Sequence, residues 1–150
     1  MSHLKIEMTG PVHQCEQRVI YGDTDAGGVV YNANYLRYFE KGRSGFMRDY
    51  VMSYRDLEEM GFILPVVESY VRYKAPARYD DLLIINTSMQ PVSAISWRFN
   101  HHVRMAANDK LLVKGFTVHA SVNRQGKLTK MPAEIIQKMC AVLNSTSEAK

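Results

Sequence analysis

The sequence predicts an α+β domain in which one long helix packs on an antiparallel sheet of about five strands. Three observations carry this. A single helix-periodic run with an aromatic face begins near residue 34, a succession of β-prone runs broken by turn residues follows it, and 46% hydrophobic against 23% charged residues is the balance of a chain that buries a core. At 150 residues the chain reads as one domain, residues 1–150.

The elements follow in order. Residues 15–21 are β-prone and stop at Gly22-Asp23, where turn residues begin, so they form the first strand. The segment 22–28 holds three glycines and two aspartates and is a loop whose backbone can take unusual conformations. From Asn34 the period becomes helical: Tyr35, Phe39, Gly42, Phe46 and Tyr50 recur at steps of three or four, while Arg37, Lys41, Arg48 and Asp49 fall mostly elsewhere. Asn32 or Asn34 could cap this helix, which ends near Ser53. A helical turn over 55–60 closes at Gly61. Strands are then expected at 63–73, 82–89, 95–105 and 111–122, separated by Ala75-Pro76-Ala77 with Asp80-Asp81, by Pro91, by Ala107-Asn108-Asp109 and by Asn123-Arg124-Gln125-Gly126. Met131-Pro132 introduces a last helix, 133–143, with Ile135, Ile136, Met139 and Val142 on one side, and the tail NSTSEAK is expected to fray. An aromatic-faced helix must bury against something, and the sheet is the only large partner.

Several function classes are disfavoured. No apolar run approaches the roughly 20 residues of a membrane span. The start MSHLKIEMTG shows no basic region, apolar stretch and cleavage site, so a cytoplasmic location and no membrane insertion are expected. Cys15 and Cys140 read as separate reduced thiols. The net charge of +4 suits an anionic ligand, but the basic residues are scattered and no nucleic-acid-binding signature accompanies them, so no nucleic acid partner is expected. His101 and His102 are neighbours on a strand and must face opposite ways, His119 reads as a sheet histidine, and no metal is expected.

The chemistry concentrates between Tyr21 and Glu40, where the glycine-rich loop with its carboxylates runs into a helix N-terminus. Unpaired N–H groups and the helix dipole there can stabilise the oxyanion formed when an ester or thioester carbonyl is attacked, and a loop Asp can be the nucleophile or base. An Asp-Thr-Asp among glycines also suits a tight turn or cap. The residues alone leave both readings open.

The run RVIYGDTDAGGVVYNANYLRYFEKGR resembles the signature of the 4-hydroxybenzoyl-CoA thioesterase family of hotdog-fold enzymes, and is especially similar to its Tol-Pal-associated branch. YVRYKAPARYDDLL and GFTVHASVNRQGKLTKMP extend the resemblance over nearly the whole chain. It implies a hotdog fold and hydrolysis of acyl-CoA, with CoA part of the substrate and no cofactor. By position Asp25 is the catalytic carboxylate, attacking the thioester or activating water. Asn32 supplies an oxyanion donor through its backbone N–H, with its side-chain amide as a further one. Tyr21, which matches a tyrosine near the active site, is the third implied catalytic residue, and Asp23 shapes the loop.

Gly27, Gly28, Val29, Tyr31 and Glu40 are the implied substrate-binding residues, joined by Pro65 and the residues up to Ser69 of a neighbouring subunit. Glu40 either meets the acyl group or pairs with Arg43. The family resemblance also implies that two subunits join into one continuous sheet, as a homodimer or homotetramer with the site at the interface. Two departures stand out: Asn32 replaces the branch's usual His, and Val92-Ser93-Ala94-Ile95 stands where the hydroxybenzoyl enzymes carry a basic cluster. CoA phosphates would then fall to some of Lys74, Arg78, Arg98, Arg104, Lys127 and Lys130. The alternatives are a thioesterase acting on acyl carrier protein, or a non-catalytic module that binds acyl-CoA.

Overall fold

Residues alternate between half-buried and exposed along β1 (His13–Arg18), the period-2 pattern of a strand with one face on a core. Four more strands, β2 (Val66–Tyr73), β3 (Leu82–Ser93), β4 (Ser96–Met105) and β5 (Leu111–Ala120), join it in a wholly antiparallel sheet of order β1-β3-β4-β5-β2. The computed structural model describes residues 5–148, with side chains to residue 143, so the first four residues of MSHLKIEMTG and the last two of NSTSEAK lie outside the described residues.

Helix α1 (Asn34–Tyr50) lies on this sheet through the face its periodicity marked, with Tyr35, Phe39, Gly42 and Phe46 buried and only Tyr50 exposed. Small residues set how close it comes. A Cβ on Gly42 would strike the Thr87 hydroxyl, one on Gly45 would meet the His13 ring, and one on Gly115 of β5 would lie 2.6 Å from the Phe39 ring. Helix α2 (Tyr54–Glu59) starts at Ser53, whose hydroxyl accepts the Asp56 N–H at 3.1 Å, and Gly61 closes it at φ +95°. Helix α3 (Ala133–Glu148) packs Ile135 and Met139 with Phe46, Trp97 and Phe99 in a second apolar cluster. No helix among the described residues is long and apolar enough to cross a membrane, and Cys15 and Cys140 are both free thiols.

Some boundaries differ from expectation. The first strand ends at Arg18, and Tyr21–Asp23 form a single 3-10 turn, because the Asp23 carboxylate accepts the Ile20 N–H and pulls the chain round. Strand β2 begins at Val66; Ile63 makes only an isolated bridge to Val122. Pro91 does not end β3, since the register shifts beside it at the hairpin tip, where a missing N–H is tolerated. Neither Asn32 nor Asn34 caps α1: Ala33 holds the cap position, and the Asn34 amide donates to the Asp23 carbonyl at 2.7 Å. Helix α3 runs on to Glu148, through most of the tail expected to fray.

The histidines divide by face. His101 stacks on Phe39 with centroids 4.4 Å apart and its Nδ1 3.0 Å from the Thr87 hydroxyl, while His102 on the other face donates through Nε2 to the Ile6 carbonyl at 2.7 Å. His119 donates through Nδ1 to the Leu64 carbonyl at 2.8 Å, which leaves Nε2 to accept from the Thr117 hydroxyl at 2.9 Å. Burial pushes His119 down to about 4 and, with the Arg43 guanidinium, holds His101 well below its ordinary value.

An unfolded His119 takes up its proton near 6.5, so between that value and about 4 the unfolded chain binds more protons, and stability falls as pH falls. The urea midpoint should therefore drop between pH 7 and 4.5, with a loss of about 2 kcal/mol from this residue. His119→Gln should flatten that dependence. An equal pH slope in both proteins would rule His119 out as its source.

Candidate active site

Residues 20–33 carry the chain from the sheet to α1, and two aspartates organise the crossing. Asp23 is buried. Its Oδ2 accepts the Ile20 N–H at 3.2 Å and the Tyr38 hydroxyl at 2.9 Å, and its carbonyl accepts the Tyr31 N–H at 2.8 Å and the Asn34 amide. Burial and the Asp23 carboxylate together raise the Tyr38 hydroxyl above its usual value, so it stays a neutral donor. Asp23 shapes the loop, as expected.

Asp25 is exposed and held differently. Its backbone N–H donates to the Val29 carbonyl at 2.9 Å and its own carbonyl accepts the Gly28 N–H at 3.0 Å, closing a tight turn with Gly28 at φ +81°. Within the turn Oδ1 accepts the Gly27 N–H at 2.8 Å and, more loosely, the Val29 N–H at 3.4 Å. A Cβ on Gly27 would sit 3.2 Å from that same oxygen. Oδ2 has no protein partner among the described residues. One oxygen thus fixes the carboxylate and the other is free to react.

Asp25 borders an open cavity of about 400 Å³, walled by Val29, Val30 and Asn32 on the loop, Tyr35 on α1, and Tyr73 to Pro76 opposite. The loop is fastened to that far wall by the Val30 N–H, which donates to the Ala77 carbonyl at 2.8 Å, and by a bridge from Val29 to Arg78. The Asn32 N–H has no acceptor among the described residues, while its carbonyl accepts the Tyr73 hydroxyl at 2.9 Å. Burial pushes Tyr35 up to about 12, so its phenol also stays neutral.

The structure therefore gathers Asp25, Val29 and Asn32 around one cavity, with Gly27 and Gly28 shaping the turn behind the carboxylate. The other expected residues stand apart. Tyr31 is exposed outside the cavity lining, Tyr21 stacks on Tyr79, and Pro65 is exposed just before β2. Glu40, two turns along α1, borders one groove with Asp23 and Tyr38 and another with Arg43 and Tyr54, yet it forms no ion pair with Arg43: among the described residues the ion pair within 4.0 Å joins His13 to Asp49.

Among the candidate cations, Lys74 lines the cavity, and an Arg78 nitrogen lies 3.9 Å from where a Gly28 Cβ would be. Neither side chain has a hydrogen-bond acceptor among the described residues. Arg98 is committed to the Lys5 carbonyl, the Asn100 side chain and the Phe116 ring, and Arg104 to His102 and the Asp109 carbonyl. Tyr73 and Tyr35 were not singled out from sequence as site residues. The only local signal was the Ala75-Pro76-Ala77 turn, which brings the end of β2 back over the loop.

The family model of the thioesterase-like superfamily matches residues 19–139. The acyl-CoA thioesterase YbgC of Haemophilus influenzae is 36% identical over 112 residues, covering 74% of this chain and 80% of its own length. The acyl-CoA thioester hydrolase YbgC of Escherichia coli O157:H7 is 40% identical over 96 residues, covering 63% and 70%. A solved 4-hydroxybenzoyl CoA thioesterase mutant complexed with 4-hydroxybenzoyl CoA superposes with a TM-score of 0.76 at 22% identity, over 85% of this chain and 98% of that one, a likeness that establishes the hotdog fold.

The turn that holds Asp25 depends on Gly28 alone for its left-handed backbone. Gly28→Ala should lower stability by about 1 kcal/mol or more, read from urea denaturation. Gly22→Ala, with no positive φ and a Cβ in ordinary contact with Ile20 at 3.9 Å, should cost less. Equal losses would show that the turn at Asp25 is not set by Gly28.

Proposed function

The chain belongs to the thioesterase-like superfamily, and from that premise we propose that it hydrolyses acyl-CoA thioesters to free acid and CoA with Asp25 as the reacting carboxylate. It is a thioesterase, as its named relatives are. What carries the residue-level reading is the Asp25 side chain, tethered through one oxygen by N–H groups of its own turn and unpartnered at the other, on a cavity that also holds a backbone N–H without an acceptor at Asn32.

A thioester carbonyl placed in the cavity has its carbon before the free Asp25 oxygen and its oxygen against the Asn32 N–H. As negative charge develops on that oxygen, an N–H already fixed in the cavity wall can receive it, which lowers the barrier without reorganisation. Asp25 then either attacks the carbon, forming a mixed anhydride as CoA leaves and water later cleaves it, or takes a proton from the water that attacks. Neither route draws on a cofactor. Lys74 and Arg78, unpaired beside the cavity, supply charge for the CoA phosphates.

Assembly completes the pocket in this reading. Strand β2 lies at the edge of the sheet with Val66 47% and Val67 60% exposed, an unpaired apolar edge of the kind that proteins cover. Two subunits joined along β2, as a homodimer or within a homotetramer, bring the partner segment that begins at Pro65 towards the cavity.

Asp25→Asn keeps the shape of the side chain and removes its charge. Hydrolysis measured by thiol release should fall at least about 10²-fold, while binding of a non-hydrolysable acyl-CoA analogue stays within a few-fold. Turnover at the normal rate in that variant would sink the mechanism.

A further inference from the structure

We propose that the exposed Tyr21–Tyr79 stack is the platform for the adenine base of the substrate's CoA moiety, with Arg78 and Lys74 holding the phosphates that lead to it. This rests on the acyl-CoA reading above.

The two phenol rings lie face to face, 3.7 Å between centroids and 7° from parallel, yet Tyr21 is 72% and Tyr79 45% exposed, and Ile20 beside them is exposed too. Two rings pinned together in water leave a broad flat face open at the surface. A flat aromatic base can cover such a face, as bases cover aromatic side chains in single-strand binding, where the contact tolerates any base because every base has a π face.

Both rings are tied to the turn that holds Asp25. The Tyr21 carbonyl accepts the Thr24 N–H at 3.0 Å and the Thr24 hydroxyl at 2.7 Å, and Asp25 follows Tyr21 by four positions, a span of at most ~14 Å of chain. Tyr79 directly follows Arg78, which bridges to Val29, and the Asp81 carboxylate fixes that corner by accepting the Arg78 N–H at 2.8 Å. The stack is therefore within reach of a pantetheine arm that begins at a thioester beside Asp25.

Charge connects the two places. Lys74 lines the cavity, the Arg78 guanidinium lies beside Gly28, and neither is engaged by an acceptor among the described residues. Arg18, close in the same corner, already donates to the Asp80 carbonyl at 2.9 Å. A nucleoside bisphosphate joined to pantetheine carries the groups for which this corner offers partners: a thioester for the cavity, phosphates for two cations without an acceptor among the described residues, and a base for an aromatic face. Tyr21 then acts on the remote end of the substrate rather than on its thioester.

The test compares one acyl group carried on CoA and on pantetheine, which lacks the nucleotide, in the wild-type protein and in Tyr79→Ala, with 3′,5′-adenosine bisphosphate as a competing probe. The wild type should prefer the CoA ester. Tyr79→Ala should cut the ratio of kcat/KM values, CoA over pantetheine, by roughly tenfold and weaken inhibition by the bisphosphate to a similar degree. An unchanged ratio, an equal fall for both esters, or an altered oligomeric state of Tyr79→Ala on size-exclusion chromatography would each overturn the platform. Wild-type protein that cleaved neither ester would instead overturn the acyl-CoA reading, and the platform with it.

Discussion

A carboxylate taken out of water must find hydrogen bonds, and the way Asp23 finds them holds the fold and the site together. Its side chain gathers the Ile20 N–H from the end of the first strand and the Tyr38 hydroxyl from α1, while its carbonyl takes the Tyr31 N–H and the Asn34 amide at the helix entrance. The strand exit, the helix entrance and the first turns of α1 thus meet on one residue. Each of the two side-chain hydrogen bonds contributes about 1 kcal/mol or more to holding the crossing in place. The geometry two residues later inherits this rigidity: with Asp23 fixed, the turn closed by Gly28 can only present the Asp25 carboxylate outward. In the Asp-Thr-Asp run the first carboxylate is structural because it is buried and ties the strand exit to α1, and the second can react because it is exposed on the cavity with one oxygen unpartnered among the described residues.

Glycines govern how the helix and the sheet come into register. Gly42 and Gly45 let α1 settle against Thr87 and His13, and Gly115 leaves room for the Phe39 ring beneath the same helix. A methyl group at Gly42 or Gly45 would push the helix off these side chains, and one at Gly115 would strike the Tyr70 carbonyl of β2 as well as the Phe39 ring. The consequence reaches the cavity, because the helix entrance must sit where the Tyr73 hydroxyl at the end of β2 can meet the Asn32 carbonyl. Packing along the body of the helix therefore positions the N–H proposed to receive the oxyanion.

Much of this was legible in the residues, and the division follows from physics. The helix start at Asn34, the five strands and the buried face of α1 could be read because each rests on local periodicity and turn chemistry. The 3-10 turn at Tyr21–Asp23, the idle caps at Asn32 and Asn34, and the course of β3 through Pro91 could not, since each depends on a particular hydrogen bond or pairing that residue type alone does not specify. Asp25 stood out only as a loop carboxylate, and the family signature singled it out. Tyr73 and Tyr35 escaped notice for a further reason: on their own elements they have the spacing of packing residues, and only the pairing of β2 with β5 and the fold of the Ala75-Pro76-Ala77 turn bring them to the cavity wall. Of the readings open for Glu40, the pairing with Arg43 is not formed, because adjacency on a helix permits an ion pair without requiring one.

Charge is placed here more tellingly than it is counted. A net charge of +4 is modest, and at physiological salt an exposed charge acts over only about 8 Å. Most of the basic residues therefore cannot influence a ligand at Asp25, whatever the total. The interior is kept neutral by different means: the buried histidines resist protonation, and the Tyr35 and Tyr38 phenols resist losing their protons. At the cavity Asp25 offers an unpartnered carboxylate oxygen, and the Lys74 and Arg78 side chains have no acceptor among the described residues. A ligand that presents an electrophilic carbon to the carboxylate and carries its negative charges further along matches that distribution, whereas one with its anionic group at the reacting centre would face Asp25 directly. The arrangement thus favours a neutral acyl carbonyl on an anionic carrier, which is the charge pattern of an acyl-CoA.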